Sequence, residues 1–185
     1  KSKMCTFEGR FKTRRNMIEI IPATTDNIPD IQKISAVAWP HTFKDILSEK
    51  QIAYMMHWMY SDESLREQME KNNHRYVLAK HGEEFVAYLS YEPNCENTGK
   101  TKIHKIYILP SHQRKGIGKL LFDFVLTKAR ETGEKAVYLN VNKNNKNAIN
   151  FYQRMGFYIA KEEVIDIGNG FVMDDYVFEK PLDHE

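Results

Sequence analysis

The sequence predicts one α/β domain of the α+β type, a mixed, mostly antiparallel sheet flanked by helices. Three observations predict it. Apolar, β-prone runs occur in neighbouring pairs around short glycine turns, which reads as antiparallel hairpins. A strand, helix and strand follow one another across residues 106–141, the pattern of a parallel pair. Amphipathic helical periodicity fills most of the rest. A chain of 185 residues, 42% of them hydrophobic, is long enough for one well-buried core and short for two. Residues 17–185 are therefore read as a single domain without internal repeats.

Composition bounds the partners. The net charge of +2 conceals a leader, residues 1–16, that carries six basic residues and one acidic residue, so the remainder stands at −3. The leader has no periodicity and reads as a flexible basic extension or an artefact of the start. It lacks the apolar run of a signal peptide, and no later stretch approaches the roughly 20 apolar residues of a membrane helix. A soluble, cytoplasmic protein that binds neither membrane nor nucleic acid is expected, since a basic tail without interleaved aromatics is a poor nucleic-acid arm. Cys5 and Cys95 have no metal-ligand spacing and read as free thiols, with no metal expected.

In order, Ile18, Ile20 and Ile21 suggest a strand ending at Pro22. Thr24-Thr25-Asp26 offers a cap for a helix carrying Ile28, Ile31, Ile34 and Ala38, expected to stop near Trp39-Pro40. Ser48 and Gln51 fit a capping box opening a helix rich in aromatics and methionine, among them Tyr54, Met55, Trp58 and Met59. Its apolar face either packs on the sheet or, with Trp39 and Phe43, walls a pocket. Residues 61–73 form a more polar helix, and residues 76–79 and 85–91 a hairpin around Gly82. A long strand over 101–109 leads through Pro110 into a helix over 117–132, closed by Gly133. Residues 136–141 read as a buried strand, Asn147 to Met155 as a short amphipathic helix, and 157–167 with 171–179 as a final hairpin.

Gly116 and Gly118 stand at the entrance of the 117–132 helix. Backbone N–H groups there lack intrahelical partners, and Arg114, Lys115 and Lys119 add positive charge, so a phosphate or pyrophosphate is the expected ligand. The turn Gln113-x-x-Gly116-x-Gly118 is neither a P-loop nor a Gly-x-Gly-x-x-Gly turn, and taken alone it equally suits tight strand-to-helix packing.

Two motifs about thirty residues apart carry a resemblance. The first is Ile106-x-Ile108-x-Pro110 followed by Gln113-Arg114-Lys115-Gly116-Ile117-Gly118. The second is Leu139-x-Val141-x-x-x-Asn145-x-Asn147-Ala148-Ile149-x-Phe151-Tyr152-x-x-x-Gly156-Phe157. Together they resemble the GNAT superfamily of acyl-CoA-dependent N-acetyltransferases. The resemblance implies acetyl-CoA as co-substrate, no metal, and a sheet that splays between residues 107–109 and 139–141 to admit the cofactor arm. It implies a cofactor set of Tyr107, Ile108, Gln113, Arg114, Lys115, Gly116, Ile117, Gly118, Lys119, Asn140, Asn147 and Tyr152. A backbone N–H near Ile108 would stabilise the developing oxyanion. Tyr152 would be the general acid for the departing thiolate, or else a core residue.

The family often carries an acidic residue two positions ahead of Ile106. Here that position is His104, read as the general base, as a strand-surface residue, or as bypassed by a water chain. Trp39, Phe43 and Tyr54 are the expected acceptor-binding residues. The Trp39, His41-Thr42-Phe43 and Ser48-Glu49-Lys50-Gln51 pattern is similar to the branch that includes bacterial polyamine acetyltransferases. Glu162, Glu163, Asp166, Asp174 and Asp175 would suit a cationic amine if they face the cleft, or simply solvate the hairpin. The implied function is acetylation of a primary amine on a small, cationic molecule. Protein N-terminal or lysine acetylation and a non-catalytic acyl-CoA sensor are the alternatives, and a homodimer is compatible with either.

Overall fold

A computed structural model describes residues 18–183, so the basic leader and Cys5 lie outside the described residues. The elements run β1 (Ile18–Pro22), α1 (Ile28–Phe43), α2 (Glu49–Tyr60), α3 (Asp62–Glu70), β2 (Arg75–His81), β3 (Glu84–Glu92), β4 (Lys100–Ile108), α4 (Ile117–Glu131), β5 (Ala136–Asn142), α5 (Lys146–Arg154), β6 (Tyr158–Gly168) and β7 (Phe171–Pro181). They build one seven-stranded sheet in the order β1-β2-β3-β4-β5-β7-β6, antiparallel except for the β4/β5 pair. The mixed, mostly antiparallel sheet flanked by helices is thus as expected.

Helices cover both faces, which is why the central strands read as nearly continuous apolar runs. Val77, Ala79, Ala87 and Leu89 pack with Leu121, Phe122 and Val125 of α4 and with Tyr152 of α5. Their neighbours Tyr76, Leu78 and Tyr88 point the other way, onto Ile28, Ile31 and Ile34 of α1, Met55 of α2 and Leu65 of α3.

Two irregularities in the sheet create the site. The parallel β4/β5 ladder runs only from Lys100↔Ala136 to Ile103↔Leu139, and beyond it the strands part. Immediately past that point β4 carries a bulge: Tyr91 of β3 pairs with Ile103 and Ser90 with Lys105, leaving His104 as the extra residue.

Three local expectations are corrected. The first helix does not stop at Pro40 but runs to Phe43, and the Lys44 N–H donates to the Pro40 carbonyl at 3.0 Å. Proline in a last turn forfeits one backbone hydrogen bond. The continued turn places Trp39 and Phe43 four residues apart on one buried face, with ring centroids 4.4 Å apart, which outweighs that loss. The capping box at Ser48 is half made. Gln51 N–H donates to Ser48 Oγ at 3.1 Å, but the Gln51 side chain donates instead to the Val172 carbonyl at 2.9 Å. α3 ends at Glu70 and not Asn73, because Asn73 adopts the left-handed conformation (φ 56°) that turns the chain towards β2.

Candidate active site

Where β4 and β5 part, a cavity of about 800 Å³ opens between His104–Ile108 on one side and Leu139–Asn142 on the other. Beyond Ile103 and Leu139 the facing strand edges have no partner strand among the described residues, leaving backbone donors and acceptors for an extended, amide-bearing ligand.

The cavity runs to the α4 entrance. Arg114 (φ 61°) and Gly116 (φ 81°) both take left-handed backbone conformations to turn the strand into the helix, and no side chain caps Gly116. Leu120 is the first residue to bond back, to the Gly116 carbonyl at 3.1 Å, so the N–H groups of Ile117, Gly118 and Lys119 stand ahead of the helical ladder at its positive end. This arrangement suits a pyrophosphate. A β-carbon on Gly118 would lie 3.2 Å from Phe151 Cζ and 3.5 Å from Ile108 Cδ1, so Gly118 also lets α4 approach β4 and α5 closely.

Of the expected cofactor residues, Tyr107, Ile108, Gln113, Arg114, Gly116, Ile117, Gly118, Lys119, Asn140, Asn147 and Tyr152 line the cavity and Lys115 does not. Lys119 pairs with Asp123 at 2.5 Å on the exposed helix face. Tyr152 is held from α5 by the rings of Phe122, Phe151, Phe157 and Phe178, and burial pushes its phenol well above the usual range. It therefore stays a neutral phenol at any physiological pH.

His104 is positioned differently from the expectation for a base. Its Nε2 lies 2.9 Å from Glu92 Oε2, and its ring stacks on His74 with centroids 3.8 Å apart. Burial, the His74 ring and the Lys102 and Lys105 ammoniums push its pKa down to about 2, making it a poor proton acceptor despite the adjacent carboxylate. His74, Glu92 and His104 offer three donor atoms within 4.8 Å of one another. However, the two rings are only 18° from parallel, so their in-plane lone pairs do not converge on one ion. A different residue from this strand was missed: Lys105 lines the cavity with its Nζ donating to Gln68 Oε1 at 2.5 Å, between the rings of Tyr60 and Tyr76. Burial, then Lys102, lowers its pKa to about 7.

That depression has a sign. The unfolded chain holds the Lys105 proton up to its ordinary pKa of 10.5 and the folded protein releases it above about 7, so this group makes stability rise with pH between those values. Lys105→Met is expected to stabilise the protein at pH 6 by about 2 kcal/mol and to flatten the rise towards pH 10. Thermal melts of both proteins at pH 6 and 9.5 check this, and parallel curves would refute it. Tyr76 OH still satisfies Gln68 Oε1, at 2.6 Å, when Lys105 is removed.

The other end of the cavity is aromatic, lined by Trp39 and Phe43 with Met55, Met59 and Tyr60. A buried chain fixes Trp39: its Nε1 donates to Tyr60 OH at 2.9 Å, which also accepts from Tyr88 OH at 2.9 Å. Tyr54 is a correction. It does not line the cavity, because its hydroxyl donates to the Ile167 carbonyl at 2.6 Å and its ring packs on Trp58 and Phe171. With the Gln51 bridge to Val172, this contact fastens α2 to the β6–β7 hairpin.

Of the late acidic residues Glu162, Asp166 and Asp174 are exposed and Glu163 is half-buried. Lys143 bridges Glu162 at 2.8 Å and Asp174 at 2.7 Å, Glu163 accepts from Asn140 and Lys161, and Asp166 caps the hairpin turn. Asp175 alone of the five is fully buried and borders the cavity.

The model of the GNAT acetyltransferase family matches residues 35–157, which include both walls of the cavity and the glycine turn. The chain belongs to that family. It is 25% identical over 170 residues to the "Uncharacterized N-acetyltransferase in pepI 3'region" of Lactobacillus delbrueckii subsp. lactis, covering 89% of this chain and 98% of that protein. In fold it is similar to the PaiA N-acetyltransferase of Thermoplasma acidophilum, solved in complex with coenzyme A (TM-score 0.74, 20% identity, 89% and 98% of the two chains). It is also similar to the spermidine/spermine N-acetyltransferase SpeG of Vibrio cholerae (TM-score 0.64, 16% identity, 89% and 94% covered). The protein is an acyltransferase of the N-acetyltransferase type with acetyl-CoA as co-substrate. Among the described residues no helix is long and apolar enough to cross a membrane.

Proposed function

We propose that this enzyme moves the acetyl group of acetyl-CoA to a primary amine of a small, cationic molecule such as a polyamine, by direct attack with both substrates bound. The observation that carries this reading is the continuity of one cavity from the α4 entrance, through the strand gap and past Tyr152, to the aromatic wall of Trp39, Phe43 and Tyr60. Both reactants therefore meet in one cavity, where orientation supplies much of the rate. The buried thiol of Cys95 lies outside that cavity, so among the described residues an acetyl-cysteine relay has no support.

Tyr152 gives its proton to the departing sulfur, and a backbone N–H near Ile108 steadies the oxyanion. The fastening of α2 to the β6–β7 hairpin bridges the acceptor end, which favours a small molecule over a protein segment laid through an open groove. A cytoplasmic setting, where acetyl-CoA is supplied, belongs to the same reading.

Thiol release from acetyl-CoA in the presence of spermidine, amino acids, aminoglycosides and short peptides tests it. Spermidine or another polyamine is expected to give the highest kcat/KM. A preference for peptides would replace this reading with protein acetylation, and binding of acetyl-CoA with no acceptor turned over would make the protein a sensor.

A further inference from the structure

Asp175 lies on β7 opposite Asn142 of β5 and Glu163 of β6, and it borders the cavity just beyond the β4/β5 gap. It is fully buried, and neither carboxylate oxygen has a hydrogen-bond partner among the described residues. A buried carboxylate without a partner is among the most costly groups a fold can hold. Its surroundings contain the rest of the reacting machinery. Tyr107 on β4 is close enough to both Tyr152 and Asp175 for each to raise the Tyr107 phenol pKa.

From this placement we propose that Asp175 receives the ammonium of the acceptor and takes its proton, generating the neutral amine that attacks the acetyl group. The inference rests on the amine acetylation proposed above.

The step balances as follows. The Asp175 carboxylate accepts one proton from R–NH3+, leaving R–NH2 and a neutral carboxyl. The amine lone pair forms the C–N bond to the acetyl carbon while the C–S bond breaks, and the sulfur takes the phenolic proton of Tyr152. The second N–H proton restores the phenol. Asp175 then passes its proton to water, so one acetylation releases one proton.

The groups facing Asp175 tune it for this exchange. Burial, the Glu163 carboxylate on β6 and the Asp174 carboxylate on β7 raise its pKa. Asn140 on β5, whose amide donates to Glu163 Oε2 at 2.8 Å, and Lys102 on β4 lower it. The balance puts the carboxyl at about 6, ionised at neutral pH and ready to hold a proton briefly. His104, held near 2, has no comparable affinity for a proton.

The test is the pH dependence of spermidine acetylation by the full chain and by Asp175→Asn, Asp175→Glu and unaltered enzyme. The unaltered enzyme is expected to show an acidic limb in kcat/KM centred near pH 6. In Asp175→Asn that limb disappears and kcat/KM at pH 7.5 falls about 100-fold. The deficit narrows towards pH 10, where spermidine arrives with a neutral amine. Asp175→Glu keeps the limb at a reduced kcat.

The Asn variant is also expected to melt at a higher temperature than the unaltered enzyme at pH 7.5, since an uncharged amide of the same shape replaces a buried charge. Acetyl-CoA affinity by calorimetry remains unchanged. A rate loss equal at every pH, an unchanged limb in Asp175→Asn, or loss of the limb in Asp175→Glu would overturn the assignment. Should Asp175→Asn fail to fold, the Glu variant alone decides. If the unaltered enzyme turns over no amine at all, the functional reading falls and the role of Asp175 with it. If the unaltered enzyme turns over spermidine and Asp175→Asn does so equally well, only Asp175 is dismissed.

Discussion

Tyr152→Phe is expected to lower kcat by about 100-fold while leaving acetyl-CoA affinity unchanged, the outcome for loss of a general acid that acts only in the transition state. The substitution removes one oxygen and little else. The Tyr152 ring is fixed by Phe122, Phe157 and Phe178, contacts that phenylalanine keeps, and its hydroxyl makes no hydrogen bond to the described residues, so folding loses nothing. Because burial raises the phenol far above its usual range, the donor stays protonated over the whole working pH, and the alkaline side of the unaltered enzyme's profile does not report Tyr152. Steady-state kinetics with calorimetry of acetyl-CoA binding checks this. An unchanged kcat would leave Tyr152 as a packing residue of α5, the alternative its buried face always allowed.

The order and type of the elements were legible because each is written in local periodicity and punctuated by glycine, proline or a capping side chain. Ser48 still caps α2 and Gly82 still turns the β2/β3 hairpin. The glycine-turn end of the cavity was legible for the same reason: a glycine turn between a strand and a helix is contiguous in sequence, and so is the α5 segment bearing Tyr152.

The far end of the cavity was not. Lys105 looked like one polar residue in an alternating strand, and its meaning comes from Gln68 on α3, 37 positions away. His104 looked well placed for a base. The bulge at Ser90/Tyr91 instead sets its ring against His74 and Glu92, a shift in register that no local pattern encodes. Asp175 was indistinguishable from Asp174, its neighbour, until pairing with Asn142 placed one carboxylate inside the sheet and left the other on Lys143. Pro40 misled because its local cost is real and smaller than what Trp39 and Phe43 gain by sharing a face.

Gly118→Glu is expected to abolish coenzyme A binding, with affinity falling by at least about 10³-fold. A carboxylate at this position stands at the uncapped α4 entrance, where it competes for the N–H groups of Ile117 to Lys119 and repels the pyrophosphate. A like-charge contact at about 4 Å near a protein surface costs roughly 4 kcal/mol, enough for that loss without any change in fold. Crowding is the competing cause, because the new β-carbon meets Phe151 Cζ at 3.2 Å and α4 must yield slightly.

Gly118→Ala and Gly118→Gln separate the two. Alanine carries the crowding alone and is expected to lose little affinity, glutamine carries the bulk without charge and falls between, and glutamate falls furthest with a deficit that shrinks as salt is added. Calorimetry with coenzyme A, alongside melting curves to confirm folding, reads all three. Equal losses across the series would make Gly118 a packing glycine only, and retained affinity in the glutamate variant would dismiss the α4 entrance as the phosphate site.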